Sequence, residues 1–308
     1  MGALSAFRVA GQALMQLSAN GISIEVEDHG PPNGEPLLLV MGLGMQLVAW
    51  HEDFVAGLVA RGFRVIRFDN RDIGLSQRFD HLGVPNLMLD SLRFAVGLGV
   101  KSDYSVADMA DDAVGVLDAL GIRRAHVCGA SMGGMIAQHM AARHAHRLKS
   151  VTLMMTTSGA RRLPGPTLKV RGALISQPAD ASRIDSIVDH YVQLYKLIGS
   201  PGYPASDDYL KERLGHSVRR SYRPQGTARQ MVAIAADGDR SPWLGQLSLP
   251  VQIIHGRDDP LVPVAAGHDL AAKIKGAEID VIDGMGHDLP KPLWPHFEAG
   301  ITRAAGRA

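Results

Sequence analysis

Residues 129–133 read Gly129-Ala130-Ser131-Met132-Gly133. A serine flanked by glycines two positions away on either side suits a nucleophile held on a sharp, strained turn. Where a strand runs into a helix the backbones approach closely, and a side chain at 129 or 133 would collide. The neighbouring sequence agrees. Residues 125–128 form a short apolar run of buried-strand type, and Met135-Ile136-Ala137 opens a helical pattern. That helix would aim backbone N–H groups and a positive dipole end at an oxyanion formed beside Ser131. The competing reading is a chance Gly-x-Ser-x-Gly in a chain with 34 glycines. The rest of the chain decides between them.

A serine hydroxyl is a poor nucleophile until a base takes its proton, and the base needs a partner to fix its tautomer. Asp259 follows the apolar run 251–254, and His287 follows the run 278–282. With Ser131, each stands at the carboxyl end of an expected strand. In a parallel sheet those ends share one edge, so the three can converge. The chain has 13 histidines, and most should be structural or exposed. His255, at a strand end before Gly256, reads as packing. Asp69-Asn70-Arg71-Asp72 invites a catalytic reading, but so dense a polar turn is more often a hydrogen-bonded structural network.

The elements that must position these residues follow a regular order. Residues 17–28 alternate and are broken by the turn-rich segment 29–36, which together read as an antiparallel hairpin at a sheet edge. Strands are expected at 36–40, 63–68, 125–128, 150–155, 251–254 and 278–282, those at 36–40, 125–128 and 150–155 as buried runs. Helices are expected at 48–61, 105–122, 264–275 and 293–303, with Ser105 as an N-cap and Gly62 and Gly121 as stops. This alternation predicts an α/β fold with a mostly parallel sheet covered on both faces. Residues 77–103 fit either a short helix or a loop insertion. From 159 to 247 the strand signal vanishes and about four helical patterns follow one another. The organisation expected is a core at 1–158 and 248–308 with a helical cap at 159–247. A cap at the carboxyl ends of parallel strands would overlie the usual ligand site. Tyr191, Tyr195 and Met231 in it fit an acyl pocket, but side chains at helical spacing are more often a cap's own packing, so none is named as a substrate contact.

Bulk properties narrow the classes. The 308 residues are 46% hydrophobic with a net charge of +1, an ordinary globular balance without a footprint for nucleic acid or an anionic membrane. The single cysteine, Cys128, excludes an internal disulfide and multi-cysteine zinc sites, and its place in the strand before the serine reads as packing. No apolar stretch is long enough to span a membrane. The first 17 residues read as a frayed or surface-packed leader rather than a secretory signal, so a cytoplasmic location is expected. No Gly-x-Gly-x-x-Gly follows a strand and there is no Walker loop, so no nucleotide cofactor is implied; residues 80–90 show no metal-ligand clustering.

Four segments in order, VMGLG, FDNRDIGLS, GASMGG, and IIHGRDDPLVP with GMGH, resemble the α/β-hydrolase superfamily from about residue 17 to the end. The MGLG form, Trp50-His51 and DNRDIGLS are most similar to the aclacinomycin methylesterase branch and related bacterial carboxylesterases. The resemblance implies Ser131 as nucleophile, Asp259 as acid and His287 as base. It favours Asp259 over its neighbour Asp258, which is left as a loop residue. It also implies an oxyanion hole from the Met132 N–H and a loop N–H, here Leu43 in Met41-Gly42-Leu43, where the family usually has His-Gly-x. Backbone donors do not depend on that histidine. Gly42 and Gly44 would thin the loop for a substrate carbonyl, or simply serve a tight turn.

The expected activity is cofactor-independent hydrolysis of carboxylic esters with short to medium acyl groups, through an acyl-enzyme. A serine at the elbow argues against dehalogenase or epoxide hydrolase chemistry. A lactonase, a carbon–carbon bond hydrolase and a cofactor-free perhydrolase keep the same triad and stay open. So does a ligand-binding protein that retains the fold without catalysis. The expected partner is a small-molecule ester, with neither nucleic acid nor membrane.

Overall fold

The computed structural model describes residues 12–308. The expected leader lies outside them as far as residue 11. Its remainder, residues 12–17, falls within the first strand, β1 (Gln12–Ala19). β1 pairs antiparallel with β2, Ile22–His29. The run at 17–28 is therefore parts of two strands, and the hairpin turns at Asn20-Gly21 rather than in 29–36. Both turn residues have positive φ, 49° and 77°, as a two-residue hairpin loop requires. The 29–36 segment instead carries the chain across to β3.

The remaining strands are β3 (Glu35–Val40), β4 (Phe63–Phe68), β5 (Ala125–Ala130), β6 (Leu148–Met154), β7 (Val251–Gly256) and β8 (Glu278–Ile282). They form one sheet in the order β1-β2-β4-β3-β5-β6-β7-β8. β2 joins β4 antiparallel, and every pairing beyond it is parallel. The six expected strands are all present. From β3 the chain runs outward to β4 and then returns to place β5 on the other side of β3. The crevice at that reversal is where parallel sheets bind ligands.

The helices are α1 (Glu52–Ala60), α2 (Leu87–Ala95), α3 (Val106–Ala119), α4 (Met132–Arg143), α5 (Leu168–Ile175), α6 (Ile184–Ile198), α7 (Asp207–Arg220), α8 (Pro224–Asp237), α9 (Ser241–Leu244), α10 (Ala265–Lys273) and α11 (Trp294–Gly306). Alternate side chains of β3 face opposite cores. Leu38 and Val40 pack with α3, α4 and α10, whereas Leu37 and Leu39 pack with α1 and α11. α3 begins at a reciprocal cap: Ser105 accepts from the Asp108 N–H at 3.0 Å while Asp108 accepts from the Ser105 N–H at 2.7 Å. The helix expected from residue 48 starts later, because the His51 ring accepts from the Asp53 N–H and caps α1 there. Residues 77–103, ambiguous in sequence, contain α2. Between β6 and β7 lie α5 to α9, the expected four helices and one extra turn. α6 and α7 have a small core of their own, built from Ile187, Val192, Leu210 and Leu214 among others.

Candidate active site

Ser131 caps α4 one residue beyond β5, with φ 56° and ψ −118°. A non-glycine residue held there stores strain of about 1–3 kcal/mol and persists only where its surroundings fix it. They do. The Ser131 N–H donates to the Met154 carbonyl at 2.9 Å, and the Ser131 carbonyl accepts from Thr156 Oγ1 at 2.7 Å and from the Gly134 N–H at 2.9 Å. A Cβ at 129 would collide with the Gly133 backbone, and one at 133 with the Val40 carbonyl. The two glycines of the motif are steric necessities of this turn.

The sheet brings the sequence-expected partners to it. His287 Nε2 lies 3.0 Å from Ser131 Oγ, and His287 Nδ1 lies 2.7 Å from Asp259 Oδ2. With the Nδ1 proton donated to Asp259, Nε2 is left to accept from the serine hydroxyl. The other carboxylate oxygen, Oδ1, accepts from the Leu261 and Val262 N–H groups at 2.9 and 2.8 Å. Asp259 is thereby fixed in direction. Asp258 turns elsewhere and accepts from the Gly284 N–H at 2.8 Å, bracing the turn that carries His287. His255 is buried, stands 2.8 Å from the Val262 carbonyl, and has its pKa pushed down by that burial. Packing is its role, as the sequence suggests.

The Met41–Gly44 loop lies directly beside the elbow, because parallel pairing sets Val40 next to Gly129. A Cβ on Gly42 would sit 3.1 Å from the Ser131 Cβ, so only glycine brings the loop this close without displacing a neighbour. Among the described residues, neither the Leu43 nor the Met132 N–H finds an acceptor in the protein. The loop is held from behind: Asn70 donates to the Met41 carbonyl at 2.8 Å, and the Gly44 N–H donates to Gln230 Oε1 at 2.9 Å. Asp69, Arg71 and Asp72 complete a buried network. Asp69 accepts from the Leu47 N–H and Arg220, both at 2.7 Å; Arg71 grips Asp112 with two bonds; Asp72 grips Arg229 likewise. Burial pushes the Asp69 and Asp112 carboxyls up against the pull of Arg220 and Arg71. The structural reading of 69–72 stands, and its work is to tie the core loop to α7 and α8. Cys128 is buried beside Met154, as expected of packing.

A cavity of about 700 Å³ opens above Ser131, His287, Gly42 and Leu43. Five of the chain's six tyrosines line it: Tyr191, Tyr195, Tyr203, Tyr209 and Tyr222. Met231 lines it too. Tyr191 both lines the cavity and packs against the α6–α7 core. Burial pushes the Tyr191 phenol up to about 12, leaving it protonated at neutral pH.

Three site residues gave no sequence signal. Gln230 bridges Gly44 to the Arg71 carbonyl, the latter at 3.0 Å. Ser200 accepts from the Gly286 N–H at 2.9 Å and donates to Asp288, whose pKa burial pushes up. These bonds span 86 residues or more of sequence, beyond the reach of any local pattern.

A sequence-family model for the alpha/beta hydrolase fold matches residues 35–290. The chain is 28% identical to a rhodomycin D methylesterase from a Streptomyces species, over 94% of this chain and 98% of that relative. It is 26% identical to a 2-hydroxy-6-oxononadienedioate/2-hydroxy-6-oxononatrienedioate hydrolase from Paraburkholderia xenovorans, over 90% and 87%. An esterase structure from Rhodococcus superposes with a TM-score of 0.74 at 19% identity, covering 96% of this chain and 99% of that one. Since the family match runs unbroken from β3 past the His287 turn, the chain belongs to the family of the alpha/beta hydrolase fold.

Proposed function

We propose that the protein is a carboxylic ester hydrolase in which Ser131, His287 and Asp259 act as nucleophile, base and acid. The observation that carries this is the unbroken hydrogen-bond run Ser131–His287–Asp259 at the floor of the cavity. Ser131 Oγ attacks the ester carbonyl carbon while its proton passes to His287 Nε2. The Leu43 and Met132 N–H groups receive the developing oxyanion, and Asp259 stabilises the imidazolium. Collapse expels the alcohol with the proton from His287. Water then gives His287 a proton, attacks the acyl carbon and releases the acid, restoring Ser131.

The helical segment 159–247 acts as a cap that sets substrate preference. The short to medium acyl chain expected from sequence fits the cavity, and the tyrosine lining favours an acyl group bearing rings. The methylesterase relative supports a small leaving alcohol. Turnover of p-nitrophenyl esters from acetate to palmitate, beside Ser131→Ala, tests the reading. Activity abolished in the variant supports it, and full activity in the variant sinks the serine mechanism. The hydrolase relative from Paraburkholderia keeps carbon–carbon cleavage as the second reading. It gains if no ester turns over but Ser131 still labels with a phosphonate probe. A protein that neither turns over ester nor labels would be a binding protein.

A further inference from the structure

α2 is an apolar helix that buries none of its described side chains. Met88, Leu89, Leu92 and Phe94 are exposed, Met88 at 84%, and Val96 and Leu98 continue the surface beyond its end. A helix this apolar ordinarily belongs in a core, and contiguous exposed apolar surface marks a place of docking. The feature recurs on α5, where Leu168 and Ile175 are exposed, Leu168 at 84%. Leu87 at the start of α2 and Ile175 at the end of α5 both line the cavity above Ser131. The two helices stand on the rim of one opening.

Charge sets this rim apart. Residues 159–179 hold four basic and no acidic residues, and residues 84–101 hold two basic and one acidic, a net +5 where the whole chain carries +1. Arg161, Arg162, Lys169 and Arg171 are exposed. Among the described residues none of these four, nor Arg93 or Lys101, pairs with a carboxylate. Apolar side chains interleaved with unpaired cations are the combination that binds an anionic lipid interface. A second copy docked on the same face about a two-fold axis would set like charges against each other.

We propose that this rim docks the protein on an anionic lipid surface, with the apolar side chains of α2 and α5 in the acyl boundary and the exposed cations of α5, Lys169 and Arg171, at the headgroups. The cavity then opens towards the lipid, and the whole-chain charge conceals the segregation. Docking is separable from catalysis, so it is measured as binding by the full chain carrying Ser131→Ala. Co-sedimentation with phosphatidylcholine vesicles, with and without phosphatidylglycerol, should show binding that is about tenfold or more weaker without the anionic lipid and weakened likewise by high salt. Leu92→Asp with Phe94→Asp, and separately Lys169→Glu with Arg171→Glu, should each lower vesicle binding about tenfold in the Ser131→Ala chain. In the chain that retains Ser131, both pairs should leave turnover of a soluble p-nitrophenyl ester unchanged. Equal binding to both vesicle types, or binding untouched by both double variants, would overturn the proposal. So would self-association lost in the Leu92→Asp, Phe94→Asp protein without any vesicle binding, which would make the rim a face between copies.

Discussion

Asp258 and Asp259 are adjacent in sequence, yet one meets His287 and the other meets the Gly284 amide. The division predicts unequal consequences. Asp259→Asn should lower kcat about 10³–10⁴-fold by favouring the wrong histidine tautomer, with thermal unfolding little changed. Asp258→Asn should stay within about tenfold of the parent, since an amide oxygen still accepts from Gly284. Equal losses in steady-state assays would refute the assignment. At this scale the sequence was readable where a side chain's surroundings are local. Gly129, Ser131 and Gly133 meet within one turn, and Asp259 is oriented by the amides two and three residues on. Gln230 was unreadable because its partners, Gly44 and Arg71, lie far off in the chain.

Between elements, Gln230 is the tie from α8 to the loop that carries Leu43. Gln230→Leu would leave the Gly44 N–H without its acceptor and let the loop relax. We expect kcat to fall about tenfold with KM changed less, since a transition-state contact is loosened rather than a binding surface removed. An unchanged kcat would show that the loop holds itself. A second tie joins β2 to β4, where Glu27 stands directly opposite Arg67 in the register. Burial works to raise the Glu27 carboxyl, but its hydrogen bond with His29 and the Arg67 charge outweigh this and hold it at about 2. Its folded pKa therefore lies below the ordinary 4.5, so the stabilisation is complete above that pH and fades as pH falls towards 2. Glu27→Gln should lose roughly 3 kcal/mol at neutral pH, and the gap to the parent should close through that acid window in denaturant titrations. A gap independent of pH would rule out the ion pair as its source. The sheet was legible because parallel strands are continuous apolar runs. The first hairpin was misplaced because Asn20-Gly21 interrupts its alternation by only two residues, whereas the 29–36 segment is richer in turn formers.

For the molecule as a whole, Cys128 offers a reading of global stability. It lies in the fifth strand, fully buried, with its thiol pushed far up by burial. The native protein should resist a thiol reagent and become reactive only as the core opens, so the labelling rate should track unfolding in denaturant. Rapid labelling without denaturant would mean that the centre of the sheet breathes. The cavity's lining was not legible at this scale. Tyrosines at helical spacing face either their own helices or a ligand, and only the folded arrangement decides. The helical segment between β6 and β7 also grips the core at the turn that carries His287. The His287 N–H donates to the Ile198 carbonyl at 2.7 Å, the Gly202 N–H to the Gly284 carbonyl at 2.9 Å, and a Cβ on Gly286 would strike the Gly199 backbone. In terms of protein exchange, residues 159–247 are then not a transplantable module. A chimaera that takes this segment from a relative must bring that relative's 284–288 turn with it, or the borrowed helices will arrive without the histidine they hold in place.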